Sequence, residues 1–488
     1  MIIYSDNLPF EYELEKLTRL FFPFEKITFS SAVPDFSNEL SAQVRVYSKN
    51  GDDLLSVTVS FKGKKISKEQ LFEPDKSMDP DKEKTLERSL AALLFDCYCE
   101  ITGYTPEWGI LTGIRPAKLY RRFADILGTQ NAEKFFNTEF RVGKQKLDLL
   151  KETAVSEDEI IKKSGKRSIS IYISIPFCPS RCSYCSFVSH SIERATDLIP
   201  KYLEFLCKEI ECTAEIVKKL NLDIMTVYVG GGTPTTLSAE QLTVLLNKIH
   251  NCFGNSFTEL TVEAGRPDTI TKEKLKALKN GGVDRISINP QTMNDETLKL
   301  IGRNHSSECT VRAFDFARKA GFENINSDLI AGLPGENIDM FLKTLEDIEK
   351  LSPEGITVHT MYLKRTSKIT KEKLWEECGK DVEKMLEASA FFARKNAYIP
   401  YYMYKQRSTM GNLENTGYAK KGYESLYNSA IMEEVQTIFA CGAGASTKVV
   451  RENDIQRIYN IKDAFSYIRD IDFIIENKVS EIRSLLEK

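Results

Sequence analysis

The chain has 488 residues, 42% of them hydrophobic, which is enough to bury a large core and to form more than one domain. Its net charge of −3 gives no field that would attract nucleic acid or an anionic membrane, so neither is expected as a partner. There is no signal-peptide pattern and no stretch of the ~20 apolar residues that a membrane span needs, so a cytoplasmic protein is expected. The chain is also expected to be a monomer. The 11 cysteines are an odd number, and eight of them are scattered, which favours reduced thiols over disulfides.

Residues 1–165 are predicted to form an N-terminal α+β domain. Apolar and polar residues alternate at 42–47 and 54–61 around a turn at Asn50-Gly51-Asp52, which predicts a β-hairpin. Asp79-Pro80 then predicts the cap and first turn of a helix with an apolar stripe.

The segment W-G-I-L-T-G-I-R-P-A-K-L, residues 108–119, is the most unusual part of this domain. It is interpreted as an interdomain turn followed by a solvated basic helix. A loop that binds a substrate or partner is the alternative.

From Ser168 the pattern becomes strand, loop and helix, repeated. Six strands are predicted at 169–175, 224–230, 258–263, 283–289, 323–330 and 355–361. Six β/α units predict an α/β fold, a partial (β/α)6 TIM-like barrel, over residues 166–380. A C-terminal α/β extension, residues 381–488, is expected to close the active site. Chemistry in such barrels lies at the carboxyl ends of the strands.

The first predicted strand leads into Y-I-S-I-P-F-C-P-S-R-C-S-Y-C-S-F, which places Cys178, Cys182 and Cys185 at C-x3-C-x2-C spacing. Three thiolates on one loop can hold three irons of a [4Fe–4S] cube and leave the fourth iron open. The alternatives are a zinc knuckle, which needs a fourth ligand, and a chance cluster of buried thiols.

Polar and glycine-rich motifs also follow the later strands. G-G-G-T-P-T (230–235) follows the second strand, where absent side chains let a ligand approach the backbone. Glu263 ends the third strand and can accept hydrogen bonds from hydroxyl or ammonium donors. A salt bridge to a neighbouring helix is its alternative.

These motifs resemble those of the radical S-adenosylmethionine (SAM) superfamily. The Y-x-x-I-P-F-C opening and the G-G-G-T-P-T loop are similar to those of the oxygen-independent coproporphyrinogen III oxidase group, and within it most resemble HemZ-type coproporphyrinogen dehydrogenases. The resemblance implies a [4Fe–4S] cluster on the three cysteines and one or two molecules of SAM. It implies these SAM-binding residues: Tyr172, Tyr184, Gly231, Gly232, Thr233, Glu263, Gln291, Arg303 and Asp328.

Some of these residues have a structural alternative. Gln291, Arg303 and Asp328 could instead hydrogen-bond to one another inside the barrel. His359, on the sixth strand, is a candidate catalytic residue, with a satisfied core histidine as the alternative. C-G-A-G-A-S, residues 441–446, is similar to a family stretch near the active site.

An Arg side chain can bind a carboxylate through two parallel hydrogen bonds. Four basic residues are candidates for binding substrate carboxylates: Lys364, Arg365, Lys405 and Arg407. The aromatic segment Y-Y-M-Y, residues 401–404, could stack on a flat macrocycle. An ordinary β-extension that closes the open side of the barrel is the alternative.

The resemblance implies that an electron from a flavodoxin- or ferredoxin-type donor leads to a 5′-deoxyadenosyl radical, which decarboxylates two propionates of coproporphyrinogen III to vinyl groups in haem biosynthesis. Two positions depart from the oxidase pattern: Phe187 replaces a fourth cysteine and Ser174 replaces a histidine. The first change is shared with haem chaperones of the superfamily. There are therefore two alternative functions: a haem-binding chaperone, and a radical SAM enzyme that acts on another tetrapyrrole.

Overall fold

The computed structural model describes residues 1–5, 8–32, 36, 40–73, 79–165, 167–185, 190–362, 381–406, 409–451 and 454–486. These fall into two compact units. The first contains Met1–Ala154 with two short segments around Lys405 and Asn412, and the second contains the rest. The division into three domains at 165 and 380 stays a prediction.

The described part of the first unit combines a five-stranded sheet, in the order β2-β1-β3-β4-β5, with helices. Its elements are β1 (Ile2–Ser5), α1 (Glu11–Phe21), β2 (Thr28–Ser30), β3 (Leu40–Lys49), β4 (Asp52–Phe61), β5 (Lys64–Leu71), α2 (Thr85–Thr102), α3 (Pro116–Leu127), α4 (Thr129–Thr138) and, up to Ala154, α5 (Lys144–Ile161).

The predicted hairpin is confirmed as β3 and β4, which pair antiparallel with Val44 opposite Val57. Asn50 and Gly51 both have positive φ, as the tight turn requires. The predicted helix start is wrong, because α2 begins at Thr85 after a 3₁₀ turn at Lys82–Lys84. Asp79 instead accepts a hydrogen bond from the Thr85 hydroxyl.

The main sheet of the second unit has, among the described residues, the strand order β14-β15-β13-β12-β11-β10-β9-β6-β16-β17-β18, and β7 and β8 form a separate two-stranded sheet. The elements of its barrel are β6 (Ser168–Ile175), β7 (Phe177–Cys178), β8 (His190–Ser191), α6 (Ile192–Ala195), α7 (Ile199–Lys219), β9 (Asp223–Gly231), α8 (Ala239–Phe253), β10 (Glu259–Glu263), α9 (Lys272–Asn280), β11 (Arg285–Ser287), α10 (Asp295–Leu300), α11 (Ser307–Lys319), β12 (Ile325–Ala331), α12 (Ile338–Leu351) and β13 (Gly355–Thr360). The later elements are α13 (Val382–Lys395), β14 (Tyr398–Lys405), β15 (Glu414–Lys420), α14 (Leu426–Glu433), β16 (Thr437–Cys441), β17 (Ser446–Val450), β18 (Ile455–Tyr459), α15 (Ala464–Arg469) and α16 (Ile471–Leu486).

Six neighbouring strands of this sheet, β6, β9, β10, β11, β12 and β13, are parallel and are linked by helices. The chain therefore has the partial (β/α)6 barrel that the sequence predicts, with every strand end within two residues of the expected position. The barrel continues into the later strands, since β15 pairs antiparallel with β13 and β16 pairs parallel with β6.

Strict alternation along the strands gives the sheet an apolar face and a polar face. Ile169, Ile171 and Ile173 of β6 are buried in a core that they share with helices such as α7 and α8. Each such side chain contributes about 1.5–3 kcal/mol on burial. The opposite face carries mostly polar residues: Ser170, Tyr172, Ser174, Thr226, Tyr228, Glu259, Thr261, Glu263, Arg285, Ser287, Asn326, Asp328, Thr357 and His359. A mostly polar barrel interior is unusual for a purely structural core and points to a bound ligand.

The aromatic segment at 401–404 lies on β14, where Tyr401, Tyr402 and Met403 are buried. This is the β-extension that the sequence leaves as an alternative. None of the described helices combines the length and hydrophobicity that a membrane span needs.

Candidate active site at the carboxyl ends of the barrel strands

The cysteine loop leaves β6 and is tied to the segment that follows α10. The Ser183 amide donates to the Ile301 carbonyl oxygen at 2.9 Å, and the Ser180 hydroxyl donates to the Gly302 carbonyl oxygen at 3.1 Å. Within the loop, the Cys185 amide donates to the Cys182 carbonyl oxygen at 3.1 Å. These bonds fix a loop of three cysteines at the carboxyl end of the first barrel strand.

The glycine loop after β9 packs directly on the cysteine loop. The Gly232 amide donates to the Ile175 carbonyl oxygen at 2.8 Å, and the Thr233 amide donates to the Phe177 carbonyl oxygen at 2.7 Å. The Thr233 hydroxyl lies 3.5 Å from the Cys178 Sγ. A Cβ on Gly232 would lie 2.5 Å from the Phe177 oxygen and 3.0 Å from the Cys178 Sγ, so only glycine fits at that position.

Glu263 lies beside the same glycines at the end of β10. Its Oε1 accepts a hydrogen bond from the Tyr228 hydroxyl at 2.6 Å, and a Cβ on Gly230 would come within 3.0 Å of this carboxylate. Burial raises the pKa of Glu263 to about 7, although the Tyr228 hydrogen bond acts in the opposite direction. Glu263 therefore holds a proton up to a higher pH than an exposed glutamate does.

A polar network joins the ends of β11, β12 and β13. The Asp328 carboxylate accepts hydrogen bonds from the side-chain amide of Asn289 at 2.8 Å and from that of Asn326 at 2.7 Å. The His359 Nε2 lies 3.8 Å from the Asp328 Oδ2. Burial alone would raise the pKa of Asp328, but His359 and the hydrogen bonds from Asn326 and Thr357 outweigh burial and lower it. Asp328 is therefore a stabilised carboxylate.

Gln291 completes this edge of the barrel. Its backbone has φ of 69°, in the left-handed region that a residue with a side chain rarely adopts. The conformation is held by hydrogen bonds to β12: the Gln291 amide donates to the Asp328 carbonyl oxygen and the Ile330 amide donates to the Gln291 carbonyl oxygen, both at 3.0 Å. Its side-chain Oε1 is buried without a hydrogen-bond partner among the described residues, as expected of an acceptor that meets a ligand.

Comparison with known proteins identifies the family at this point. Residues 172–348 match the sequence profile of the Radical SAM superfamily. The chain is 35% identical, over an alignment that covers 100% of it and 98% of the other protein, to the "Oxygen-independent coproporphyrinogen-III oxidase-like protein HemZ" of Bacillus subtilis (strain 168). The chain belongs to this radical SAM family.

Two further similarities are informative. The chain is 39% identical to the "Heme chaperone HemW" of Bacillus subtilis (strain 168), over 39% of this chain and 50% of that protein. The structure matches coproporphyrinogen III oxidase (HemN) of Escherichia coli with a TM-score of 0.52 and 22% identity, over 65% of this chain and 72% of the other. The second match supports the radical SAM barrel fold.

Radical SAM proteins use a [4Fe–4S] cluster and SAM, and the site residues fit both groups. Three cysteine thiols suit three corners of an iron cube. In the part of the chain that the structure describes, no three His, Cys, Asp or Glu side chains converge closely enough for a single metal ion. A cube is ligated at separate corners and does not need such convergence. The buried, unpartnered acceptor on Gln291 suits the organic cofactor.

Two other predicted SAM residues of this radical SAM protein contact each other. The Arg303 Nε donates to the Tyr184 hydroxyl at 3.3 Å, and its Nη1 donates to the Asn289 carbonyl oxygen at 2.5 Å. Arg303 is 6% exposed, and the pKa of Tyr184 is raised by burial. Arg303 therefore links the cysteine loop to the end of β11.

Tyr172 contributes to a stack of three tyrosine rings in the barrel. Its ring centroid lies 6.2 Å from those of Tyr228 and Tyr427, which are 4.4 Å apart and inclined by 21°. Sequence analysis did not identify Tyr228 and Tyr427. Tyr228 is detectable as the inward neighbour of the glycine loop, whereas Tyr427 lies in a helix far along the chain.

Of the four basic residues predicted to bind substrate carboxylates, the structure describes Lys405 alone. Lys364, Arg365 and Arg407 lie outside the described residues. Lys405 belongs to the first unit, where its Nζ donates to the Leu111 carbonyl oxygen at 2.6 Å and lies 4.9 Å from the centre of the Trp108 ring. Its role in carboxylate binding stays a prediction.

Two buried arginines have no predicted role. Arg266, in the motif that contains Glu263, contacts the Cys182 Sγ at 3.8 Å. Arg285, on β11, is 1% exposed, and its Nε and Nη2 have no hydrogen-bond partner among the described residues. In the sequence, both could have been recognised as arginines at a barrel strand, Arg285 within β11 and Arg266 just after β10.

Proposed function

We propose that this radical SAM protein is an oxidoreductase that decarboxylates the propionates of coproporphyrinogen III to vinyl groups, forming protoporphyrinogen IX without oxygen. The observation that carries the proposal is the 35% identity, over the full length of both chains, to a protein named as coproporphyrinogen-III oxidase-like. The polar interior of the barrel is consistent with a substrate that has carboxylate arms.

We assign the cofactor sites as follows. Cys178, Cys182 and Cys185 hold the cluster, and the cofactor residues are Tyr172, Tyr184, Gly231, Gly232, Thr233, Glu263, Gln291, Arg303 and Asp328. When bound and reduced, the cluster supplies the electron that cleaves SAM to a 5′-deoxyadenosyl radical, which abstracts hydrogen from the substrate.

The chain's own residues bind and orient these groups. Gly231 and Gly232 lie against the end of β6 and the cysteine loop with no room for a side chain, and their backbone groups are the proposed contacts of SAM. Asp328 offers a stabilised carboxylate to hydroxyl or ammonium donors. His359, beside Asp328, is the candidate that positions the reacting propionate or moves a proton there.

The proposed reaction needs both an electron donor and an electron acceptor. An external donor of the flavodoxin or ferredoxin type supplies one electron for each SAM cleaved. Each propionate then loses one hydrogen atom from its β-carbon, carbon dioxide and one further electron to an acceptor, which leaves a vinyl group.

A haem chaperone is the second candidate, and a specific observation favours it. The chain shares 39% identity with a haem chaperone over half of that protein's length. Phe187 stands where the oxidase pattern has a fourth cysteine, as in the chaperone pattern. In this case the cofactors would serve haem loading rather than decarboxylation.

Anaerobic reconstitution followed by assay with coproporphyrinogen III separates the two candidates. We expect 5′-deoxyadenosine, methionine and carbon dioxide, with protoporphyrinogen IX formed in proportion. Cys185→Ala is the matched control and should form none of them. Tight binding of haem, with no carbon dioxide released from coproporphyrinogen III by a fully reconstituted protein, would replace the first proposal by the second.

A further inference from the structure

Arg266 is a buried cation whose position is fixed by its own neighbours. It is 4% exposed, and it begins a 3₁₀ turn in which its carbonyl oxygen accepts from the Thr269 amide at 2.9 Å and the Thr269 hydroxyl at 2.7 Å. The Thr269 hydroxyl also lies 2.6 Å from that of Thr235, next to the glycine loop. The backbone of Arg266 is thus anchored between two loops of the site.

The side chain of Arg266 is oriented by Asp268. The Nε donates to the Asp268 Oδ1 at 3.0 Å and the Nη2 donates to Oδ2 at 2.9 Å, which occupies one edge of the planar guanidinium. The other edge then points away from the carboxylate. Because the group is planar and rigid, fixing one edge fixes the direction of the Nη1 hydrogens.

The Nη1 edge faces the cysteine loop. It lies 3.3 Å from the Ser180 carbonyl oxygen, 3.2 Å from the Ser180 hydroxyl and 3.8 Å from the Cys182 Sγ. An N–H group of a buried cation is therefore aimed at the sulfur of one of the proposed cluster ligands. The Nη2 also donates to the Ser180 hydroxyl at 3.2 Å, so the guanidinium is held against the cysteine loop from both terminal nitrogens.

We propose that Arg266 is a positioning residue that raises the reduction potential of the cluster through its N–H contact with Cys182. Hydrogen bonds to cluster sulfurs and nearby charge set the potential of such clusters. Reduction adds one negative charge, and a cation held against a ligand sulfur at low exposure stabilises the reduced form more than the oxidised form. Asp268 offsets part of the charge, but it lies on the far edge of the guanidinium.

This inference rests on the proposed role of Cys182 as a ligand and does not depend on the identity of the substrate. If the wild-type protein assembles no cluster, the ligand assignment fails. If the cluster assembles and its potential is insensitive to Arg266, only the present inference fails.

The test is a redox titration of the anaerobically reconstituted protein without substrate, followed by the absorbance and electron paramagnetic resonance of the cluster. Arg266→Gln should keep the iron content of the wild type and titrate at a potential more negative by about 59 mV or more, which is a tenfold smaller ratio of reduced to oxidised cluster at a fixed potential. One control variant, Arg318→Gln, should leave the potential unchanged, because it removes an arginine that pairs with Glu354 away from the loop.

Each result decides the proposal. A potential of Arg266→Gln equal to that of Arg318→Gln overturns it. Loss of iron from a variant whose apoprotein melts like the wild type also overturns it, because Arg266 would then serve assembly. If Arg266→Gln does not fold, Arg266→Lys replaces it: a single ammonium cannot hold Asp268 and reach the sulfur together, so a smaller negative shift is expected, and an unchanged potential overturns the proposal.

Discussion

Gly232 and Cys178 are packed so closely that a Cβ on the glycine would lie 3.0 Å from the cysteine Sγ and 2.5 Å from the Phe177 carbonyl oxygen. The glycine and cysteine loops can therefore form one surface only if this position has no side chain. Gly232→Ala must push the two loops apart, with a strain of about 1–3 kcal/mol. We expect a several-fold loss of iron retained after anaerobic reconstitution. Gly113→Ala is the control, because a Cβ there meets no atom within 4 Å. Equal iron retention by the two variants would contradict the packing argument.

Glu336 gives the fold a defined dependence on pH. It is 7% exposed and accepts a hydrogen bond from the Thr292 hydroxyl, and burial raises its pKa from 4.5 to about 7. Because the folded state binds this proton more tightly than the unfolded state, its contribution to stability is complete below about pH 4.5 and is lost as the pH rises through 7.

The variant Glu336→Gln carries a neutral amide in place of the protonated acid. Its urea denaturation midpoint should fall less than that of the wild type between pH 5 and pH 8, with a difference in unfolding free energy of the order of 3 kcal/mol at the upper end. Parallel pH profiles of the two proteins would show that Glu336 titrates normally in the folded chain.

The loop at Gly442 depends on a fully buried ion pair between α7 and α16. Glu209 pairs with Lys478 and also accepts hydrogen bonds from the Gly442 amide at 2.7 Å and the Tyr467 hydroxyl at 2.5 Å. Lys478→Met leaves a buried carboxylate without its cation, which costs about 3–5 kcal/mol. The free energy of unfolding in urea measures this cost.

A matched control lies on the surface of the same two helices. Lys208 pairs with Asp472 at 2.5 Å, and both side chains are exposed. Lys208→Met should therefore change the free energy of unfolding by less than about 1 kcal/mol. If the two variants were equally stable, burial would not be what makes the Lys478 pair important.

His359 is the candidate for a direct role at the substrate. Its Nε2 lies 3.8 Å from the Asp328 Oδ2 at the carboxyl end of β13. If it positions a propionate or moves a proton, His359→Gln should reduce the formation of protoporphyrinogen IX about 100-fold, while the iron content and 5′-deoxyadenosine formation persist. His250→Gln is the control, since His250 bonds to the Gly281 carbonyl oxygen in the helical layer. Full product formation by His359→Gln would contradict a direct role and show that His359 is a structural residue of the core.

The barrel strands and the N-terminal hairpin could be predicted because short local patterns determine them. Ile169, Ile171 and Ile173 alternate with polar residues along a barrel strand, and Asn50-Gly51 marks the turn of the hairpin. The start of α2 could not be predicted, since Asp79 bonds to the Thr85 hydroxyl across an intervening 3₁₀ turn.

The contacts within the site depend on residues far apart in the chain. Tyr427 stacks on Tyr228, although about 200 residues separate them. Arg266 is two residues from Asp268, but its contact with Cys182 requires the third and first strands to end at the same edge of the sheet. Motif spacing identifies the cysteines and glycines as a site and leaves such partners unassigned.

The central claim is that Cys178, Cys182 and Cys185 hold a [4Fe–4S] cube with one iron open to SAM. Mössbauer spectroscopy of the anaerobically reconstituted protein, recorded with and without SAM, tests it most directly. The account predicts about four irons per chain, with the signal of one iron changed on addition of SAM and the others unaffected. A single bound metal ion, or a cube in which no iron responds to saturating SAM, would contradict it.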